Sequence, residues 1–228
     1  MSVNPLLLPV RKDIDSIRNT VLTNIVKMLY NRKWINKKNV QKIINELIAS
    51  HNDDELYKIQ LDVSLSKLDT YDPNENEKDK EKEFDDKYIM IKLLPQKVTS
   101  ITKSPIIMEF LNAYKKTHKI LIVDDISDKS KHQLVSMKHT EIFKETFLML
   151  DLLEHACSPK YEVLTQDECK ELLEGYHLLK RQMKRQYDTD PVSLYLFLKT
   201  KQIIRIIRNS ELTGSAIDYR IVVPHKIT

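Results

Sequence analysis

Asp124 and Asp125 close an unbroken apolar run, Lys119-Ile120-Leu121-Ile122-Val123. Paired carboxylates at a strand end, with a lysine nearby, are the donor set of a divalent-metal site that hydrolyses phosphodiesters. Asp85-Asp86-Lys87 and Glu168-Cys169-Lys170 repeat the acidic-x-Lys form. With 31% of the residues charged, such triplets arise by chance, so their spacing specifies nothing. His155 stands two residues before Cys157, but a tetrahedral metal centre takes about four converging ligands. The chain has only two cysteines, Cys157 and Cys169, and no Cys-x-x-Cys pair. Neither a structural metal nor a disulfide framework is expected, and free thiols suit a reducing intracellular compartment. The sequence has no Gly-x-Gly-x-x-Gly, no Gly-Lys-Ser/Thr phosphate loop and no Gly-x-Ser-x-Gly. Two glycines in 228 residues leave little backbone to cradle a nucleotide, so no cofactor is expected. The net charge of +4 is mildly basic, too little by itself to argue for nucleic acid.

These side chains need a scaffold, and the chain is long enough to bury one sizeable core or two small ones. Ile14, Ile17, Val21, Ile25, Met28 and Leu29 recur at helical spacing, predicting a helix over 12–31. Asn36 suits the N-cap of a second helix with the stripe Val40, Ile43, Ile44, Leu47 and Ile48. Tyr57, Ile59, Leu61 and Val63 alternate with polar residues, predicting a half-buried strand. The Asp/Glu/Lys/Asn-rich stretch 69–86 breaks the pattern and is expected to be an exposed, flexible loop before a strand at Tyr88–Leu94. Ser104-Pro105 has the form of a cap followed by proline in the first helical turn. A strand at 119–123 follows, then a loop from Ser127 turning helical near 131–135, then a strand from Glu141 to Leu153.

Beyond a boundary at 154–159, Thr165 and Glu168 form a capping box. Asp190-Pro191 caps a short helix, and strands at 203–207 and 217–223 flank a turn at Thr213-Gly214. The expected class is α/β, more closely α+β. No apolar stretch approaches the ~20 residues that span a bilayer. The short run Leu6-Leu7-Leu8 before Arg11-Lys12-Asp13 is no secretory signal, so an intracellular protein without membrane contact is expected.

From Ser158 the chain reads Ser-Pro-Lys-Tyr-Glu-Val-Leu-Thr, and three further segments follow in order. They are Asp190-Pro191-Val192-Ser193-Leu194-Tyr195-Leu196, Arg208-Asn209-Ser210-Glu211-Leu212-Thr213-Gly214 and Tyr219-Arg220-Ile221-Val222-Val223. That series resembles the C-terminal assembly domain of the fifth subunit shared by eukaryotic-type DNA-directed RNA polymerases, a family that also has archaeal members. The resemblance implies a small α+β assembly domain over 154–228 that docks on the largest polymerase subunit. The docking positions it implies are Pro159, Lys160, Asp190, Pro191, Tyr195, Arg208, Ser210, Glu211, Gly214, Tyr219 and Arg220. Where the family usually has glycines, this chain has Phe197 and Lys201, so a different local turn is expected.

Residues 1–153 resemble more weakly the jaw domain of eukaryotic members, which archaeal members lack. The resemblance implies a mixed sheet with flanking helices akin to a decayed nuclease fold, lying beside downstream duplex DNA. The family's DNA-approaching loop usually reads Thr-Pro-Ser; here Ser127-Asp128-Lys129-Ser130 stands in its place, one residue longer and without the proline. Lys129 and Lys131 are the implied sequence-independent phosphate contacts.

The expectation is a non-catalytic subunit of a multi-subunit RNA polymerase, partnered by the largest subunit, other subunits and downstream DNA, with no homo-oligomer. It would act in a nucleus, or in a virion or cytoplasm if a large DNA virus encodes it. Two alternatives stand beside it. One is a nuclease using the carboxylates above. The other is a free-standing transcription regulator that uses the assembly fold as a protein-interaction module.

Overall fold

A computed structural model describes residues 13–50, 55–65, 85–101, 104–135, 137, 139–155, 158–210 and 214–225. The two N-terminal helices form where the apolar spacing places them, as α1 (Ile14–Asn31) and α2 (Lys37–Ala49). Val21, Ile25, Met28 and Leu29 of the expected stripe are fully buried, whereas Ile14 is exposed. Leu22 and Val26, off that stripe, are buried too. The helix has neighbours on more than one side. Arg18 reaches the hydroxyl of Tyr57 and the carbonyl of Ser50, while Asn24 donates to the carbonyl of Leu148 at 2.7 Å.

The first sheet has the order β1 (Leu56–Gln60), β2 (Asp85–Val98), β3 (Thr117–Ile126), β4 (Thr140–Lys144). The β1–β2 pair is antiparallel; β2–β3 and β3–β4 are parallel, with crossovers through α3 (Pro105–Ala113) and α4 (Asp128–Val135). Ile120 and Ile122 face the core shared with α1 and α2, while Leu121 and Val123 face the core under α3 and α4. A strand covered on both faces must be apolar at every position, which accounts for the unbroken run before Asp124.

Three expectations change here. Of the stretch 69–86, residues 69–84 lie outside the described residues, and Asp85-Asp86 already belong to β2. The helix α4 begins at Asp128, because Ser127 acts as its cap: its Oγ lies 3.4 Å from the Ser130 amide, and its carbonyl accepts from Lys131 N. The strand expected over 141–153 ends at Lys144 and passes into α5 (Glu145–Leu148). Phe143 and Leu148, five residues apart, would point to opposite faces of a strand; the helical turn sends both into one core.

The second sheet has the order β5 (Lys160–Val163), β7 (Ile203–Ser210), β8 (Gly214–Val223), β6 (Lys184–Tyr187). On one face, Ile203, Ile221 and Met183 are covered by α6 (Gln166–Gly175), which starts at the Thr165–Glu168 capping box. On the other, Ile204, Ile206 and Val222 join Tyr195, Leu196 and Leu198 in the same core as α1 and α2. The short helix α7 (Pro191–Tyr195) is capped by Asp190, whose Oδ1 accepts from Val192 N at 2.9 Å. Apolar packing is therefore continuous across 154–159.

Phe197 and Lys201, which replace the glycines of the resemblance, have φ of +54° and +72°. Both residues adopt the left-handed backbone that glycine takes freely, at about 1–2 kcal/mol each. Phe197 uses it to bring its ring against Trp34 and His118, each at 5.4 Å between centroids.

Candidate docking face and DNA-facing edge

In an antiparallel hairpin, directly opposed residues point to the same side. The register Ile204↔Arg220, Ile206↔Asp218, Arg208↔Ala216, Ser210↔Gly214 thus places Arg208, Ser210, Gly214 and Arg220 on one face. That face is buried at one end by Ile204, Ile206 and Val222 and open at the other, where Arg208, Gly214 and Ala216 are exposed. Gly214 enters β8 at φ +72°, a backbone that glycine adopts without strain. Glu211, between the strands, lies outside the described residues.

Arg220 donates to Asp218 at 3.2 Å, and Lys184 reaches the other oxygen of the same carboxylate at 2.8 Å. Burial alone would raise the Asp218 carboxyl, but these two cations hold it below its ordinary range. Arg208 makes no salt bridge with a described residue. Tyr161, opposite Ile206, lies close enough to Asp190, Arg208 and Arg220 to feel their charges. The open end therefore offers the exposed guanidinium of Arg208, with Tyr161 and the half-buried Arg220 further along the same face, which suits an acidic or carbonyl-rich protein surface.

The other expected docking positions scatter. Tyr219 points to the opposite face, where it packs beside Cys169 and Leu172. Lys160 is exposed on that side too and pairs with Glu162 at 2.7 Å. Pro159 leads into β5, and Asp190-Pro191 begins α7. Tyr195 is turned into the core. It is 1% exposed, and its hydroxyl receives a hydrogen bond from Asn31 at 3.1 Å and donates to Asp151 at 3.4 Å. Burial pushes its phenol pKa well up.

The carboxyl ends of the parallel strands β2, β3 and β4 gather a second set of charges, as such ends do in open α/β sheets. Asp125 is clamped at 2.8 Å by both Lys97 and Lys144, one from each neighbouring strand. Their hydrogen bonds hold its carboxyl far below the usual range. A carboxylate so neutralised is a poor cation ligand, and no cluster of three potential metal ligands occurs among the described residues. Lys129 and Lys131, exposed on the first turn of α4, stand at the same end. Sequence reasoning missed Lys97 and Lys144. Both stand within a few residues of an apolar strand run, as Asp124-Asp125 does, and parallel pairing brings such ends together.

It missed the junction entirely. Arg32, just past α1, grips both oxygens of Glu141 at 2.8 Å and the carbonyls of Tyr195 and Leu194 at 2.8 and 3.0 Å. His118 Nε2 stands 2.6 Å from Glu141 Oε1. Burial would raise the Glu141 carboxyl, yet the charge of Arg32 and the His118 hydrogen bond bring it down to about 2. An ionised carboxylate only accepts, so Nε2 carries the proton, and the buried Nδ1 finds no partner among the described residues.

The geometry is a layered α/β/α half sharing its core with a small hairpin-bearing sheet. Residues 150–222 match the family described as RNA polymerase Rpb5, C-terminal domain. Acanthamoeba polyphaga mimivirus DNA-directed RNA polymerase subunit 5 is 29% identical over 224 residues, covering 98% of this chain and 100% of the relative. The subunit RPABC1 of DNA-directed RNA polymerases I, II and III is 42% identical over 83 residues in Caenorhabditis elegans and in Caenorhabditis briggsae. That match covers 36% of this chain and 39% of each relative. The chain is thus similar to the Rpb5 C-terminal domain over residues 150–222, and over nearly its whole length to a viral RNA polymerase subunit 5.

Proposed function

We propose that the chain is a non-catalytic subunit that docks on the largest polymerase subunit through the open end of its second sheet. Its N-terminal half then holds downstream duplex DNA at the carboxyl edge of the first sheet. The exposed Arg208 on the same sheet face as Arg220, both near enough to Tyr161 for their charges to act on it, carries the docking reading. Four lysines at one sheet edge (97, 129, 131 and 144) support the DNA reading, because phosphate contacts need charge and reach but no base-reading pattern. The other polymerase subunits are its further partners. It acts wherever that polymerase transcribes, in a nucleus for a cellular enzyme or in a virion or host cytoplasm for a viral one.

The test is co-purification of a tagged chain carrying Arg208→Glu and Arg220→Glu. The exposed Arg208→Glu costs within about 0.5 kcal/mol, while Arg220→Glu also gives up its pair with Asp218, so circular dichroism checks that the variant is folded while polymerase subunits no longer follow it. Unchanged recovery of those subunits through a high-salt wash would overturn the docking reading. A wild-type chain that sheds every partner in moderate salt would point to a free-standing regulator.

A further inference from the structure

Arg32 occupies an unusual place, with its side chain 1% exposed. It touches three separate elements: Met28 of α1, Glu141 of β4, and the carbonyl end of α7. The last carbonyls of a helix lack intrahelical partners, and a cation there also opposes the helix dipole. Around the guanidinium stand Trp34 at 4.9 Å, Phe197 at 5.3 Å and Phe143 at 5.9 Å. The first and third belong to the N-terminal half and the second to the C-terminal half.

Other polar contacts cross the junction, but they direct it less. Lys27 meets Glu154 and Asp151 at a partly exposed site, where ion pairs are weak. Asn31 and Asp151 each make one hydrogen bond to the Tyr195 hydroxyl. Aromatic packing of Phe197 on Trp34 excludes water without strongly preferring an angle. The Arg32 fork is planar, and its donors are spent on a carboxylate on one side and two carbonyls on the other. A lysine, as a point charge, cannot hold both.

We infer that Arg32 is a positioning residue that fixes the angle between the two halves through α7, so that the orientation in which the hairpin sheet docks determines where the lysine edge of the first sheet is held. The fixed angle stands on the geometry alone; its use in the polymerase rests on the function proposed above.

The experiment uses the full chain with Cys157 and Cys169 changed to Ser and spin labels at Lys42 and Lys170, both exposed. The inter-label distance distribution is compared in wild type, Arg32→Lys, and the double variant Arg32→Met/Glu141→Leu. The double variant removes a buried ion pair together, a change often tolerated or even stabilising, so it retains the fold. Wild type gives one narrow distribution, and both variants give broad ones. In both, the amides of Leu196 and Phe197, bonded to Val192 and Leu194 carbonyls, exchange about tenfold faster. A folded double variant with the wild-type distribution overturns the inference, because aromatic packing would then set the angle. Should that variant unfold, a narrow distribution in Arg32→Lys overturns it instead.

A second arm separates this from the function itself. The double variant keeps Arg208 and Arg220 and so still co-purifies, but its elongation complexes dissociate faster. Broad distributions with wild-type complex stability would remove the DNA-holding role and leave the positioning role intact.

Discussion

Phe197 meets Trp34 edge-on at 5.4 Å across the junction of the two halves, from a backbone held at φ +54°. The ring and the backbone pull in opposite directions: one stabilises the core, the other strains the chain. Phe197→Gly relieves about 1 kcal/mol of strain but loses an aromatic side chain worth about 3–5 kcal/mol, so stability falls by roughly 2–4 kcal/mol. Lys201→Gly, at φ +72° on an exposed side chain, removes strain alone and raises stability by about 0.5–1 kcal/mol. Urea unfolding of the two variants checks the opposite signs.

Glu141 makes the junction sensitive to acid. Its folded pKa, about 2, lies below the ordinary 4.5, so its contribution is present above pH 4.5 and is lost as pH falls toward 2. Trp34, the chain's one tryptophan, sits within this cluster and reports its integrity. Its fluorescence is steady down to about pH 4.5 and changes below it. Glu141→Gln is less stable at pH 7 and loses much of this acid dependence.

Asp125 pairs with two solvent-exposed lysines, Lys97 and Lys144. Changing Lys129 and Lys131 to Ala lowers the salt slope of duplex binding by about one unit per lost phosphate contact, on any sequence. Asp125→Asn releases Lys97 and Lys144 and tightens binding. Dissociation rates of elongation complexes across a salt series check both directions; a slope unchanged by the lysine pair would rule out their contact with DNA.

Asp190 tests whether a docking position serves the partner or its own helix. Its Oδ1 caps Val192 N, so Asp190→Ala costs about 1 kcal/mol, while Asp190→Asn keeps an acceptor and costs a few tenths. Melting temperatures separate those two. Loss of polymerase subunits in the Asn variant would show that the charge itself is used.

Much of the scaffold was legible because it follows from local rules. The apolar stripe of α1, the Thr165–Glu168 box, the Asp190 cap and the two-faced strand at 119–123 each express a constraint felt within a few residues. The hairpin face was half legible: Gly214 announced its turn, but only register puts Arg208 and Arg220 on one side and Tyr219 on the other. The junction was illegible for a physical reason. Arg32 lies 109 residues from Glu141 and 163 from Tyr195 along the chain, and no periodicity marks such meetings. Tyr195 matched a docking motif on its type, while its depth is decided by α1.

The long reach of α1 also bears on how the protein is made. Arg32 finds the carbonyl of Tyr195 only after 163 further residues have been synthesised. Until then the face later covered by Leu196, Ile204, Ile206 and Val222 stays uncovered on a nascent chain. Domains usually fold as units in the order they leave the ribosome, but here completion must wait for the carboxyl-terminal hairpin. Premature termination anywhere before β8 leaves a sticky, unfinished surface, so shortened products should be recognised by chaperones and proteases rather than accumulate as a usable N-terminal half.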